Sequence, residues 1–324
     1  MILVKSPFRV SFFGGSTDYA DFYEQYGSFI FGCTINKYAY LSIRNKPKIL
    51  SEASTISYSK FERVENLKDI ENPLIRETLN YFGIQQPIEF ISFSDIPSRT
   101  GLGGSSSYCV GMSYLLRTFL NKKTSKKQIA KDAIEIERNI LKESGGIQDQ
   151  IWAAYGGLNT IKINKDGDFF VKPLSITNEF RDHLLDSMVL IYTNEQRTCD
   201  RIAKSHQNKD KTTILKLAHE AHNYLISEDI KSMGKLMHES WLEKSKLSSN
   251  ISTQQVDSII STCLKLGAYG AKLLGAGGCG FVLVICNPKI KRKITNVFKN
   301  SILDFNFDYN GASIMFNDNN EIKL

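Results

Sequence analysis

The first 170 or so residues carry two hydrophobic periods in turn. "ILVKSPFRVSFFG" and "GCTINKYAYLSIR" are rich in β-branched and aromatic residues and predict strands. "IEFISFSDIP" alternates apolar with polar positions and stops at Pro97, which has no N–H to give to a ladder. Beyond it Tyr108, Met112, Leu115, Leu116 and Phe119 recur at helical spacing and predict one buried helix face. A second helix is expected from about Ser125 to Lys142, with Ile129, Ala133, Ile136 and Ile140 inward and the segment "ESGG" as its end. "GGLNTIKINKDGDFFVKPL" predicts a hairpin turning at Asp166-Gly167. Past Pro173 the pattern changes. "SMVLIYT" predicts a strand, three helical stretches follow between Thr212 and Leu266, and "FVLVIC" predicts a strand after a second glycine cluster. A helix near 288–299 and a strand near 304–316 complete the pattern. Strands and helices interleave in both parts, so the expected class is α+β in two domains, 1–172 and 173–324.

Composition narrows this picture. The 324 residues suffice for two domains of ordinary size, and 42% hydrophobic with 23% charged residues describes a globular chain with a core. Apolar runs such as Phe281–Cys286 fall far short of the ~18 residues of a membrane span. Lys5 and Arg9 interrupt the N-terminal apolar stretch too early for a secretory signal. The six cysteines (Cys33, Cys109, Cys199, Cys263, Cys279 and Cys286) are scattered without a CxxC pair, the usage of reduced thiols rather than of a disulfide framework or zinc site. The expectation is a cytoplasmic protein. Against a net charge of +7, the clusters "KKTSKK" and "KIKRK" come with no aromatic ladder or nucleic-acid module. They read as solvated surface, with neither nucleic acid nor membrane expected as a partner.

The candidate chemistry lies in glycine. "RTGLGGSSSY", residues 99–108, sets three glycines and three serines just before a predicted helix, where something is to approach the backbone closely. A Walker A loop is excluded, because Gly234-Lys235 lacks both the upstream glycine and the following Ser or Thr. The HRD and DFG segments of protein kinases are absent. "GAGGCG" matches GxGxxG at Gly275, Gly277 and Gly280, but a dinucleotide fingerprint leaves a strand and opens a helix. Here a helix is expected before it and a strand after. "GLGGSSS" has the layout that suits an anion, since free amides and the positive helix end converge there. Glycines let a polyphosphate lie on the backbone, and serines cap the helix or lend an oxygen to Mg²⁺. A capped helix after a flexible loop would use the same residues; the other segments decide between the two.

"SPFRVSFFGGSTDY", "PSRTGLGGSSSY", "ESGGIQDQIWAAYGG" and "KLLGAGGCGFVLV", in that order, resemble the motifs of the GHMP kinases. These are small-molecule kinases named after galactokinase, homoserine kinase, mevalonate kinase and phosphomevalonate kinase, and the resemblance spans nearly the whole chain. It implies an N-terminal domain like part of a ribosomal protein, a ferredoxin-like C-terminal domain, and ATP with Mg²⁺ as cofactors. It implies that Gly101, Gly103, Gly104, Ser105, Ser106 and Ser107 hold the ATP phosphates. It further implies that the Ser105 hydroxyl and Glu137 are the metal ligands, with Glu135 close enough to compete. Asp149, in "GGIQDQ", would take the proton of the acceptor hydroxyl, and Arg9 would be its cationic partner. Phosphoryl transfer asks a protein for such positioning and charge rather than for covalent chemistry. Without the resemblance Asp149 reads as a first-turn helix residue, Arg9 as a strand-edge arginine and Glu137 as surface.

Thr17 and Asp18, in "STDY", resemble the sugar-binding segment of galactokinase, which implies contacts from the carboxylate to vicinal hydroxyls; an Asx-turn is the alternative. Gly15 and Ser16 replace a Glu-His pair there, which argues against galactose. The N-terminal segment as a whole resembles the branch of the family that phosphorylates a heptose phosphate on its anomeric C1 hydroxyl. The implied partner is a small-molecule sugar phosphate, whose phosphate calls for cations such as Arg99, Arg138 or Lys142. Rival readings are another anomeric kinase, acting on fucose, galactose or an N-acetylhexosamine, and a non-catalytic sensor of sugar and ATP. "AHEAH" sets His219 and His222 on adjacent helical turns without a third ligand, so helix packing rather than a metal site is expected.

Overall fold

The computed structural model describes residues 1–46, 49, 53–97, 99–194 and 207–318. Cys199 lies outside them. Two long strands form the axis of a first sheet, β1 (Ile2–Phe13) and β2 (Ser28–Asn45), paired antiparallel. The pairing slips twice, first between Pro7 opposite Tyr38 and Phe8 opposite Ile35, a bulge that re-aims the residues after it, and again between Ser11 and Phe13. β3 (Ser54–Ser57), β4 (Phe61–Val64) and β5 (Ile88–Ser94) extend the sheet beyond the second half of β2. β6 (Leu158–Ile163) and β7 (Phe169–Pro173) form the expected hairpin and pair through β6 with Ser28 to Cys33. One face is covered by α2 (Pro73–Tyr81), α3 (Gly104–Phe119), α4 (Lys126–Ile134) and α5 (Gln148–Tyr155), while α1 (Ala20–Tyr26) follows β1. Leu115, Leu116, Ile129, Ala133 and Trp152 close a core against Val4 and Leu41.

The second sheet holds β8 (Met188–Tyr192), β9 (Gly270–Leu273), β10 (Phe281–Ile285) and β11 (Ile302–Leu303) in the order β11-β8-β10-β9, all antiparallel. Helices Thr212–Ile226, Ile230–Ser245 and Gln254–Lys265 connect its first two strands, and Pro288–Val297 its last two. This βαββαβ order is the ferredoxin-like arrangement expected. The strand expected near 304–316 is instead three short ones shared between the sheets. β12 (Phe307–Asp308) pairs with β2 and β13 (Ser313–Asn317) with β1. The chain thus returns to the first sheet after residue 306, which a single division at residue 173 does not describe. Phe8, Phe12 and Phe31 of the first sheet share one apolar cluster with Leu217, Met237 and Leu283, so the seam between the units is itself a core. No helix among the described residues is long and apolar enough to cross a membrane.

One element departs from its hydrophobic period in a way that matters below. After Ile134 the helix widens into a π turn, Glu135–Ile140, in which the Leu141 N–H reaches the Ile136 carbonyl at 2.9 Å. The extra residue rotates the face. Ile140, expected inward, is 38% exposed, and Glu137 turns inward to 1% exposure.

Candidate active site

The glycine loop and α3 build the floor of the site. Gly103 caps α3 in the left-handed region (φ 76°, ψ 27°), and among the described residues no side chain caps the first-turn amides. A Cβ on Gly103 would stand 3.1 Å from Arg9 Cγ and 3.3 Å from Asp149 Oδ2, so a side chain there meets both steric and backbone resistance. The second glycine cluster leans on the first: a Cβ on Gly101 would lie 2.5 Å from the Leu274 carbonyl oxygen. The Phe281 N–H donates to the Thr100 carbonyl at 3.1 Å and ties the two loops together. A strand, not the helix expected, directly precedes "GAGGCG". The cluster is the turn between β9 and β10, and no helix opens from it.

Arg9 projects from β1 beyond the bulge, at an edge that β13 no longer covers, and its N–H donates to the Leu102 carbonyl at 3.0 Å. Its guanidinium grips Asp149 at two points, Nε to Oδ1 at 2.8 Å and Nη2 to Oδ2 at 2.6 Å, while Nη1 donates to the Gly101 carbonyl. The Arg9 side chain is 6% exposed and that of Asp149 21%, so the carboxylate is the member of the pair that meets solvent. Ser105 Oγ donates to Glu137 Oε1 at 3.0 Å, and Gln150 Nε2 donates to the other oxygen of the same carboxylate. Glu137, rather than Glu135, is the acid that reaches the loop. Glu135 instead accepts from Asn139.

These residues fit a divalent cation. Glu137 is a buried carboxylate with neutral hydrogen-bond donors, and no lysine or arginine pairs with it among the described residues. Buried charge of that kind calls for a counter-ion. The adjoining Gln150 Oε1 is buried with no hydrogen-bond partner. Among the described residues no group of three or more His, Cys, Asp or Glu is placed to hold a metal; a cation held by Ser105 and Glu137 would take the rest of its shell from other oxygens, which suits Mg²⁺. His219 and His222 pack on Phe29, with ring centroids 4.5 and 5.3 Å apart, and burial lowers the pKa of both imidazoles.

Two of the expected binding residues have hydroxyls engaged within the fold. Ser107 Oγ donates to the Pro7 carbonyl at 2.6 Å and pins α3 to β1, so its hydroxyl is not offered to a phosphate. Thr17 is buried, its hydroxyl engaged by the Gly14 carbonyl at 2.7 Å and Ser28 Oγ at 2.6 Å, and it holds the turn. Asp18 lies below the surface. Its carboxylate accepts from the Ser16 N–H at 3.1 Å, the Gln148 N–H at 3.1 Å and Gln148 Nε2 at 3.0 Å. Burial raises its pKa and the negative charge of Asp149 adds to the rise, while the Gln148 N–H opposes it. In this arrangement Asp18 fixes the start of α5, and hence Asp149. Of the cations considered for a substrate phosphate, Arg138 spends Nε on Gly146 and Nη1 on Glu143 carbonyls, and Arg99 and Lys142 are exposed. Lys244 and Lys272, both buried, were not foreseen. Lys244 had a signal, since it continues the buried stripe of Met233, Met237 and Trp241. A cavity of about 400 Å³ lined by Lys126, Asn159, Arg181 and Tyr309 lies elsewhere and includes none of the site residues.

A glycine loop opening a helix, a serine–glutamate pair and an arginine-held aspartate on one surface define a phosphotransferase site. Residues 69–157 match the N-terminal domain of the GHMP kinases and residues 214–300 match their C-terminal domain. The chain is 28% identical to a D-glycero-alpha-D-manno-heptose 7-phosphate kinase of Campylobacter jejuni, over 96% of this chain and 98% of the relative. It is 31% identical to a mevalonate kinase of Methanocaldococcus jannaschii, over 72% of this chain and 73% of the relative. The crystal structure of a D-glycero-D-manno-heptose 1-phosphate kinase from Bacteroides thetaiotaomicron shares the fold with a TM-score of 0.79 at 23% identity, covering 98% of this chain and 99% of that one. The chain belongs to the GHMP kinase family, whose phosphate donor is ATP.

Proposed function

We propose that this kinase phosphorylates the anomeric C1 hydroxyl of D-glycero-D-manno-heptose 7-phosphate, giving heptose 1,7-bisphosphate on a route to nucleotide-activated heptose for surface polysaccharide. The observation that carries the chemistry is the Asp149 carboxylate, held at two points by Arg9 beside the uncapped start of α3. ATP supplies the phosphoryl group when bound, and Mg²⁺ neutralises part of its charge. The amides of Gly103, Gly104 and Ser105 hold phosphate oxygens, and Ser105 Oγ with Glu137 holds the cation. Asp149 accepts the proton of the sugar hydroxyl as its oxygen bonds to the γ-phosphorus and the bond from that phosphorus to the departing ADP oxygen breaks. Arg9 keeps that carboxylate in one orientation and presents positive charge to the transferring group. Asp18 and Gln148 set the position of Asp149 from below. The cytoplasm is the compartment this reading requires.

The acceptor rests on similarity to the Campylobacter kinase over almost the full length of both chains. Two assays test the reading. Asp149→Asn is expected to lower kcat by about 10² to 10⁴ with the fold intact; an unchanged rate removes the base from the mechanism. Across a panel of free sugars and sugar 7-phosphates, with the product identified by NMR, the heptose 7-phosphate is expected to give the highest kcat/KM. Equal or better turnover of fucose, galactose or an N-acetylhexosamine overturns the acceptor, and no turnover on any sugar favours a sensor.

A further inference from the structure

Lysine is almost never buried unless its charge is met, and three are buried among the described residues. One is paired with a carboxylate and one rests on two backbone carbonyls. Lys211 Nζ reaches Asp21 Oδ2 at 3.1 Å, and Lys272 Nζ donates to the Ser11 and Phe12 carbonyls at 3.2 and 2.9 Å, holding the end of β1. Lys244, like Lys272, has no carboxylate in contact among the described residues. Its one hydrogen bond among the described residues goes to the carbonyl of Gly275, in the loop that packs on Gly101. An ammonium carries three N–H donors, so two of its donors have no acceptor among the described residues.

The place where they are left is specific. Gly101 also receives Arg9 Nη1, so Arg9 from the first unit and Lys244 from the second are tethered to two carbonyls of loops in contact. Lys244 lies within electrostatic reach of Arg9, Asp18 and Asp149, and burial brings its pKa down to about 8. Two largely buried cations are thus held on carbonyls of the two touching loops, within electrostatic reach of each other and of Asp149. Like charges repel in such a setting, and a fold that keeps them together has an anion to receive. The exposed lysines and arginines offer nothing comparable.

Building on the kinase reading above, we infer that the Lys244 ammonium faces the terminal phosphate of the bound nucleotide and shares with Arg9 the negative charge that develops there during transfer. The second unit then contributes a reacting-site charge of its own, in addition to closing the seam. The position adjoins the glycine loop rather than the surface, which argues for the transferred phosphate over an anion carried on the acceptor.

The test compares nucleotides before it measures turnover. Dissociation constants for MgADP and for the non-hydrolysable MgAMPPNP are measured by calorimetry on wild type, Lys244→Met and Lys244→Arg. Lys244→Met is expected to weaken AMPPNP about tenfold or more and to leave ADP within about twofold, with Lys244→Arg retaining most of the difference. In turnover Lys244→Met is expected to lose about 10² to 10³ in kcat, with the KM for the sugar within about threefold. Equal losses for both nucleotides, no loss for either, or a raised sugar KM with kcat kept would each overturn the assignment. The arginine variant separates loss of charge from loss of fold. Should heptose 7-phosphate prove not to be the acceptor, wild type fails in turnover on that sugar while the nucleotide comparison still decides the role of Lys244.

Discussion

At Lys244 function and stability pull in opposite directions. Its ordinary value of 10.5 falls to about 8 through burial and the charge of Arg9, with Asp18 and Asp149 opposing and Lys272 alongside. The unfolded chain therefore binds this proton more readily between pH 8 and 10.5. Stability is reduced in full below about 8 and recovers as pH rises toward 10.5. Lys244→Met, which removes the charge at similar volume, is expected to be more stable than wild type at pH 7 by up to roughly 3 kcal/mol. The gap should close by about pH 10.5. Denaturant titrations at several pH values measure it, and a gap independent of pH would refute the buried charge as its source. The partners of Arg9 and Asp149 follow another logic. Each is readable as a type, a cation and a carboxylate in motifs, but the two are 140 positions apart and their contact exists only in the fold.

Helices and loops carry the next layer. The start of α3 works because Gly103 holds a left-handed conformation with the Arg9–Asp149 pair close behind it. Gly103→Ala is expected to add about 1–3 kcal/mol of local strain and to weaken nucleotide binding at least tenfold, with helix content by circular dichroism unchanged. Normal nucleotide affinity in that variant would show that the loop amides are not the phosphate site. The π turn at Glu135–Ile140 has a matching test. Glu137→Gln keeps the Ser105 contact but removes the charge, so the Mg²⁺ concentration needed for half-maximal rate should rise about tenfold. If the requirement stays the same, Glu137 is a structural residue. Glycine spacing and serines made the loop legible in the sequence. The π turn was not, because a 3.6-residue period assumes that each residue turns the helix by the same angle, and one inserted residue breaks that assumption without a compositional mark.

Across the whole molecule the two units are joined by an apolar seam and by a buried charge. Lys211, at the head of helix Thr212–Ile226, is sealed under Tyr19 and Phe22 and paired with Asp21 of α1. Removing one partner of such a pair leaves the other charge stranded. Asp21→Asn is expected to cost roughly 2–4 kcal/mol, less than for full burial because Asp21 keeps some contact with water. A loss under about 0.5 kcal/mol in urea titration would show that the seam does not depend on the pair. The α+β class and the glycine loop were legible along the chain, since period and turn residues are local properties, while the ferredoxin-like second unit and the candidate aspartate were legible only through the resemblance of the motifs, in their order, to a known family. The return of β12 and β13 to the first sheet, the rotation that brings Glu137 to Ser105, the withdrawal of Thr17 and Asp18 from the surface and the arrival of Lys244 beside Arg9 were not. Each depends on contacts between residues far apart in sequence, and strand register, burial and charge pairing take their values only when those segments meet.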